Sequence, residues 1–334
     1  MSLTPMAEVS FPPATSRLSR IRRRQGWLLG VTLLLVALVG LRAMQIPAFG
    51  GFELRAIVAG TFSLALLSMA QAVVVISGGI NIAVGALMVF ANCLSARLME
   101  GQGVLACFAI TVFTIAVCVA ISAIMGWLVT LSGVPDIVVT LALSFVIGGM
   151  ALMVMPTPGG GTAKGFQPLI VGSFSDPIPS ALWIIGILAV VWLPFRRSRW
   201  GIATYAVGGD RKAAYLAGVS VAATRIRAYT ISGIFVGLAG VVATAFTGSG
   251  NAQLSTGLAV LLSSVAAVVL GGVALLGGRG GLIGPVIAAF IFNLIPAIML
   301  GFGWDPNLAQ VAQGTILILV VMIGALIQVR GRAS

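Results

Sequence analysis

The chain has 334 residues, of which 59% are hydrophobic and 8% charged, and it carries a formal net charge of +12. A soluble domain carries about 25% charged residues, so this composition excludes one and calls for an integral membrane protein, with the basic excess in surface loops rather than on a nucleic-acid face. There is no histidine, and Cys93, Cys107 and Cys118 all fall in apolar runs; this argues against imidazole acid/base chemistry, a catalytic metal and a disulfide.

A helical span needs roughly 20 apolar residues, and a charge at its centre costs about 2.5–3.5 kcal/mol, so charge-free intervals count the spans. The expected fold class is all-α, a polytopic membrane protein of about ten transmembrane helices. Residues 1–26, with Arg17, Arg20, Arg22, Arg23 and Arg24, read as a disordered basic cytoplasmic tail. The first span runs from Trp27 to Ala43, and an uncleaved anchor is favoured over a signal peptide because the apolar run is long and no small-x-small site follows it. The 41 uncharged residues between Arg55 and Arg97 hold two spans, parted at Ser77-Gly78-Gly79-Ile80-Asn81, where paired glycines end one helix and Asn81 caps the next. A fourth span lies within Val104 to Leu131. Pro135-Asp136 opens a fifth, with Asp136 as its N-cap, ending near Met155. Residues 156–180 form an external loop, and a sixth span ends at Arg196. The 51 uncharged residues between Arg227 and Arg279 hold two more, parted between Gly248 and Gly257. Gly277-Gly278-Arg279-Gly280-Gly281 is a tight cytoplasmic turn into the ninth, and the tenth runs from about Gln310 to Val329. Residues 27–330 thus make one transmembrane domain.

The one long polar interruption, residues 196–227, holds Arg196, Arg197, Arg199, Arg211, Lys212, Arg225 and Arg227 against the single acid Asp210. The positive-inside rule puts it in the cytoplasm. An even number of spans puts both termini there too, with only Arg42, Arg55, Arg97 and Lys164 outside. Within it Asp210 caps a short helix that begins with Arg211 and Lys212, Ala213, Ala214 and Leu216 supply an apolar face, and Gly218 ends the helix. Such a helix, displayed to the cytoplasm, is a docking element for a partner. The chain has no G-x-x-x-x-G-K-[ST] loop, and no Asp or Glu falls inside a span. This argues against proton coupling within the chain, while Na⁺ binding to backbone carbonyls stays open; if transport is active, its energy is expected from another subunit, and the chain is expected to be no enzyme and to need no cofactor.

Four ordered blocks carry a resemblance: Gly78-Gly79-Ile80-Asn81-Ile82-Ala83-Val84-Gly85, Val138-Val139-Thr140-Leu141, Tyr205 through Val219, and Ala266-Ala267-Val268-Val269-Leu270-Gly271-Gly272 through Gly280. In these the chain resembles the membrane permease subunit of ribose-type carbohydrate ABC importers, over spans 2 to 10. The resemblance implies a bacterial inner-membrane location and a dimer with a second permease, identical or not. It also implies two ABC ATPase domains on the cytoplasmic loops, and a periplasmic binding protein that delivers a sugar. The chain departs from the family pattern at Asn81 (usually Asp), Ala83 (Ser), Asp136 (an aromatic), Gly149 (Arg) and Leu261-Leu262-Ser263 (Glu-Leu-Asp).

Intervals of four, seven and eleven residues put Asn81, Gly85 and Asn92 on one helical face. Gln71 and Asn92 serve either as interhelical glue or as lining of a polar pathway. With Asn81, Ser263 and Ser264 they are the expected pathway for a neutral solute, most simply a monosaccharide. Gln310 and Gln313 either meet the binding protein or sit at the interface. Gly233-x-x-x-Gly237 and Gly280-x-x-x-Gly284 are read as helix packing, and Trp183, Trp192, Trp200 and Trp304 as an aromatic belt. The alternative class is a secondary carrier or facilitator, which would move its solute with no ATPase present.

Overall fold

The computed structural model describes residues 17–46 and 49–305, and beyond them residues 308, 311, 312, 314, 315, 318 and 322. Thirteen helices follow in order among these: α1 (Arg17–Gln45), α2 (Gly51–Ile76), α3 (Val84–Met99), α4 (Val104–Leu131), α5 (Asp136–Val154), α6 (Phe166–Val171), α7 (Ile178–Ile187), α8 (Leu193–Arg197), α9 (Arg199–Gly209), α10 (Arg211–Leu216), α11 (Val221–Thr247), α12 (Leu254–Leu270) and α13 (Ile283–Gly301). Helices α7 and α8 are one rod joined by a π turn, Leu188–Trp192. Pro194, which has no N–H to donate, explains the turn: the Leu193 amide reaches back to the Leu188 carbonyl and the helix loosens rather than breaks. Seven helices are long and apolar enough to cross a membrane, and Val84–Met99 and Gly257–Leu270 are shorter apolar ones. The protein is thus a multi-pass, all-helical membrane protein. The expected tenth span, with Gln310 and Gln313, lies largely outside the described residues.

Three expectations are corrected. The backbone from Arg17 to Gly26 is helical rather than disordered; arginine is a good helix former, and the segment continues straight into the first span. The polar stretch 196–227 is not one loop around one helix, because α8 runs through Arg197, α9 fills 199–209, and Arg225 and Arg227 lie in the opening turns of α11. Trp192 is buried at 2% exposure and packs on Phe195, so it is no belt residue.

Helix α2 is buried along most of its length and forms the centre of the bundle. Helix α11 packs against it and against α3 and α4, while α13 lies against α1, α2 and α12. The fit of α11 depends on glycine: a methyl at Gly237 would lie 2.9 Å from the Ile115 Cα, and one at Gly126 of α4 would lie 2.9 Å from the Tyr229 Cβ. This is the close approach that small residues allow in membranes. Outward faces of α4 and α5 expose Leu105, Phe113, Phe145 and Met153, as hydrocarbon surroundings permit. The three cysteines are free and buried. At one end of the bundle lie the arginine-rich segments. At the other, Gly159 and Gly250 form an antiparallel bridge and the Gly161 amide donates to the Ala96 carbonyl at 3.0 Å.

Candidate functional site

The arginine-rich end is built around α9 and α10. The Ser198 hydroxyl accepts from the Gly201 amide at 3.2 Å and starts α9, which the sequence reading passed over because its flanking arginines look like loop. At the next junction the Asp210 carboxylate accepts from the amides of Lys212 (2.8 Å) and Ala213 (3.0 Å), two donors that open α10. At its far end Gly218, at φ +79°, ends the helix, and the Val219 amide donates back to the Ala214 carbonyl at 3.0 Å. The faces of this six-residue helix differ from the expected ones: Ala214 turns inward and is 5% exposed, while Tyr215 and Leu216 are 72% and 85% exposed beside Arg211 and Lys212. Ala213 and Gly218 are also exposed.

What holds this pair of helices is backbone meeting backbone. The Gly278 amide donates to the Ile76 carbonyl, the last residue of α2, at 2.9 Å. A methyl at Gly208 would overlap that same carbonyl, and one at Gly277 would lie 2.7 Å from the Gly208 oxygen and 2.8 Å from the Gly78 Cα. Gly277 and Gly278 also have φ of +87° and +70°, which favours glycine. Arg211 then donates to the Gly78 carbonyl at 2.8 Å, and the Tyr205 hydroxyl to the Gly280 carbonyl at 2.9 Å. The ends of α2 and α9 and the turn after α12 are therefore clasped by close backbone contact at Gly208, Gly277 and Gly278, with the Arg211 and Tyr205 side chains bonding beside it, and α10 hangs from the clasp. Three Gly-Gly pairs, at 78–79, 208–209 and 277–278, were the signal in the sequence; that they meet was not.

Among the described residues no hydrogen bond joins any two of the five expected pathway residues. Asn81 precedes α3, which starts at Val84, so the helical-face argument does not apply to it; its Oδ1 accepts from the Ala83 amide at 3.0 Å and its Nδ2 has no protein partner among the described residues. Gly85 packs against Gly257 and Leu261 of α12, while Asn92 faces α11. Asn92 is fully used: Nδ2 donates to Thr244 Oγ1 (2.8 Å) and the Ser249 carbonyl (3.2 Å), and Oδ1 accepts from the Asn251 amide (3.0 Å). Gln71 is 0% exposed, with both amide atoms unpartnered among the described residues. Ser264 is buried and Ser263 half-buried, and each bonds within its own helix, to Leu261 and Ala259.

Asp136 is the residue that sequence reasoning placed wrongly. Pro135 occupies the N-cap, with no side-chain cap, and the Asp136 carboxylate pairs with Arg225 of α11 instead. The eighty-nine-residue separation left no local trace of that pairing.

The sequence profile of the family described as "Branched-chain amino acid transport system / permease component" matches residues 54–321. The chain is 29% identical to the ribose import permease protein RbsC of Bacillus subtilis, over 77% of this chain and 80% of that one. It is 32% identical to the probable ABC transporter permease protein y4mJ of Sinorhizobium fredii, over 80% and 78%. It is 27% identical to the autoinducer 2 import system permease protein LsrD of Photorhabdus temperata, over 90% and 92%. No solved structure matches it.

Proposed function

The chain belongs to the family of branched-chain amino acid transport system permease components, and from that membership we propose that it is the membrane subunit of an ATP-driven importer that carries a neutral sugar into the cytoplasm. It translocates and does not hydrolyse; ATP is split by two separate ABC ATPase domains, a periplasmic binding protein delivers the solute, and a second permease completes the channel. The arginine-rich end faces the cytoplasm of a bacterial inner membrane, both termini lie there, and residues 1–26 form a basic tail ahead of the single permease domain.

The observation that carries this reading is the clasped α10. Asp210, Arg211, Lys212, Ala213, Ala214, Leu216 and Gly218 make a short helix with its ends capped, its Tyr215 and Leu216 exposed, and its base locked to α2 through Gly208 and Gly278. A partner that pushes on α10 moves the end of the central helix directly. For the solute, Gln71, Asn81, Asn92, Ser263 and Ser264 are the proposed pathway groups, of which Gln71 and Asn81 keep buried amide atoms unpartnered among the described residues. Such groups exchange hydrogen bonds with hydroxyls at about 0.5–1.5 kcal/mol each, weak enough for release. The sugar also follows the relatives named for ribose and autoinducer 2 import.

The test is uptake into proteoliposomes carrying the permease, its ATPase and its binding protein, with D-ribose and L-leucine as probes. ATP-dependent ribose uptake is expected. Preference for leucine would overturn the sugar, and uptake that needs neither ATP nor the ATPase would establish the secondary carrier instead.

A further inference from the structure

Two charges are buried together where stability does not call for them. Arg225, on the second turn of α11, donates through one Nη to both carboxylate oxygens of Asp136 at the start of α5, and the two side chains are 9% and 14% exposed. A buried ion pair is seldom more stabilising than an apolar pair of the same volume, and here the Arg225 Nε has no partner among the described residues as well. What such a pair supplies is a directional contact, strong in a low-dielectric interior and lost once its members separate.

Its position gives that contact a use. The Tyr229 hydroxyl, one turn along α11, lies 3.3 Å from Asp136 Oδ2 and 3.4 Å from the Ile80 carbonyl in the α2–α3 break. Thr140, one turn along α5, accepts from the Ile82 amide of the same break at 3.1 Å. A methyl at Gly79 would lie 2.6 Å from Asp136 Oδ2, so the carboxylate rests directly on the break. From the other side Arg211 of α10 holds the Gly78 carbonyl. Contacts thus run without interruption from α10, through residues 78–82, to α5 and α11. Helix α5 otherwise packs on α3 and α4, so the ion pair is its main direct tie to α11.

We propose that the Asp136–Arg225 pair is a transmission strap, a positioning element that carries displacement of the coupling helix into α5 and α11 during each ATP-driven cycle. This rests on the importer reading above. The tests use the full complex in proteoliposomes, with D-ribose, autoinducer 2 and L-leucine as labelled probes, and compare uptake with phosphate release. The neutral double variant Asp136→Asn/Arg225→Gln removes both charges and strands neither. It is expected to hydrolyse ATP at close to the parental rate while uptake per ATP falls about tenfold, a loss typical of a broken coupling contact. The swapped pair Asp136→Arg/Arg225→Asp is expected to regain most of that loss. Parental uptake per ATP in the neutral double variant, or a swapped pair no better than the neutral one, would overturn the strap. Should the neutral double variant not assemble, Asp136→Glu, which keeps the charge and shifts it by one methylene, is read in the same way: an unchanged ratio overturns it. An unsubstituted complex that takes up none of the probes with ATP would overturn the importer reading instead, so the two failures are separable.

Discussion

Adjacent glycines in α9 provide a sharp test of the clasp, because the structure gives them opposite surroundings. A methyl at Gly208 would overlap the Ile76 carbonyl and lie 2.6 Å from the Gly278 nitrogen, whereas one at Gly209 would meet nothing within 4 Å. Neither residue has a positive φ, so alanine is free of backbone strain at both. In Gly208→Ala the ends of α2 and α9 must separate, at an overpacking cost of about 1–3 kcal/mol, and the Gly278–Ile76 hydrogen bond is lost at about 0.5–1.5 kcal/mol more. The sum, about 1.5–4.5 kcal/mol, lowers the clasped population by a factor of about ten to two thousand. Gly209→Ala is expected to be neutral or slightly stabilising, since alanine is the better helix former. The cost falls on the clasp and not on the buried core of α2, so Gly208→Ala is expected to insert and purify normally while its ATP-driven uptake collapses. Uptake and phosphate release, measured side by side for the two variants, decide the matter. Equal behaviour of the two would show that close backbone approach at Gly208 does not transmit motion.

Three further outcomes follow from the same geometry. Leu216→Glu places a charge on the most exposed apolar residue of α10 and is expected to abolish co-purification with the ATPase while leaving insertion intact; Ala214 is unsuitable for this purpose because it is buried, and retained ATPase binding by Leu216→Glu would move the docking site elsewhere. Asn92→Leu deletes two donors and strands the Asn251 amide, an expected loss of about 2–4 kcal/mol; thermal unfolding in detergent should fall and uptake should slow while basal ATP hydrolysis persists, and an unchanged melting temperature would refute the bonding described for Asn92. In a background with Cys93, Cys107 and Cys118 replaced, Lys164→Cys and Lys212→Cys, both at exposed positions, should react with impermeant maleimide from opposite sides of the membrane, Lys212→Cys from the cytoplasm; labelling of both from one side would break the proposed topology.

The order of spans and the caps of α10 were legible because the forces behind them act locally along the chain. Hydrocarbon sums apolarity over about 20 consecutive residues and charges heavily for each ion, so intervals such as Arg55 to Arg97 announce two helices. The Asp210 carboxylate needs only the amides two and three residues ahead, and Gly218 needs only its own φ. Asp136 shows where such reading stops. After Pro135 it has the sequence of a cap, and only folding brings Arg225 and Tyr229 to it from α11, an attraction that outweighs the first-turn amides. Asn92 and Gln71 are likewise the same kind of residue in sequence, an amide inside a span. The crossing of α3 with α11 gives Asn92 three side-chain bonds, and among the described residues no group does so for Gln71. The Gly-Gly pairs were visible singly, but a glycine's worth at 208 and 277 lies in another backbone arriving within 3 Å. That distance is set by how the helices pack and by no residue's neighbours along the chain.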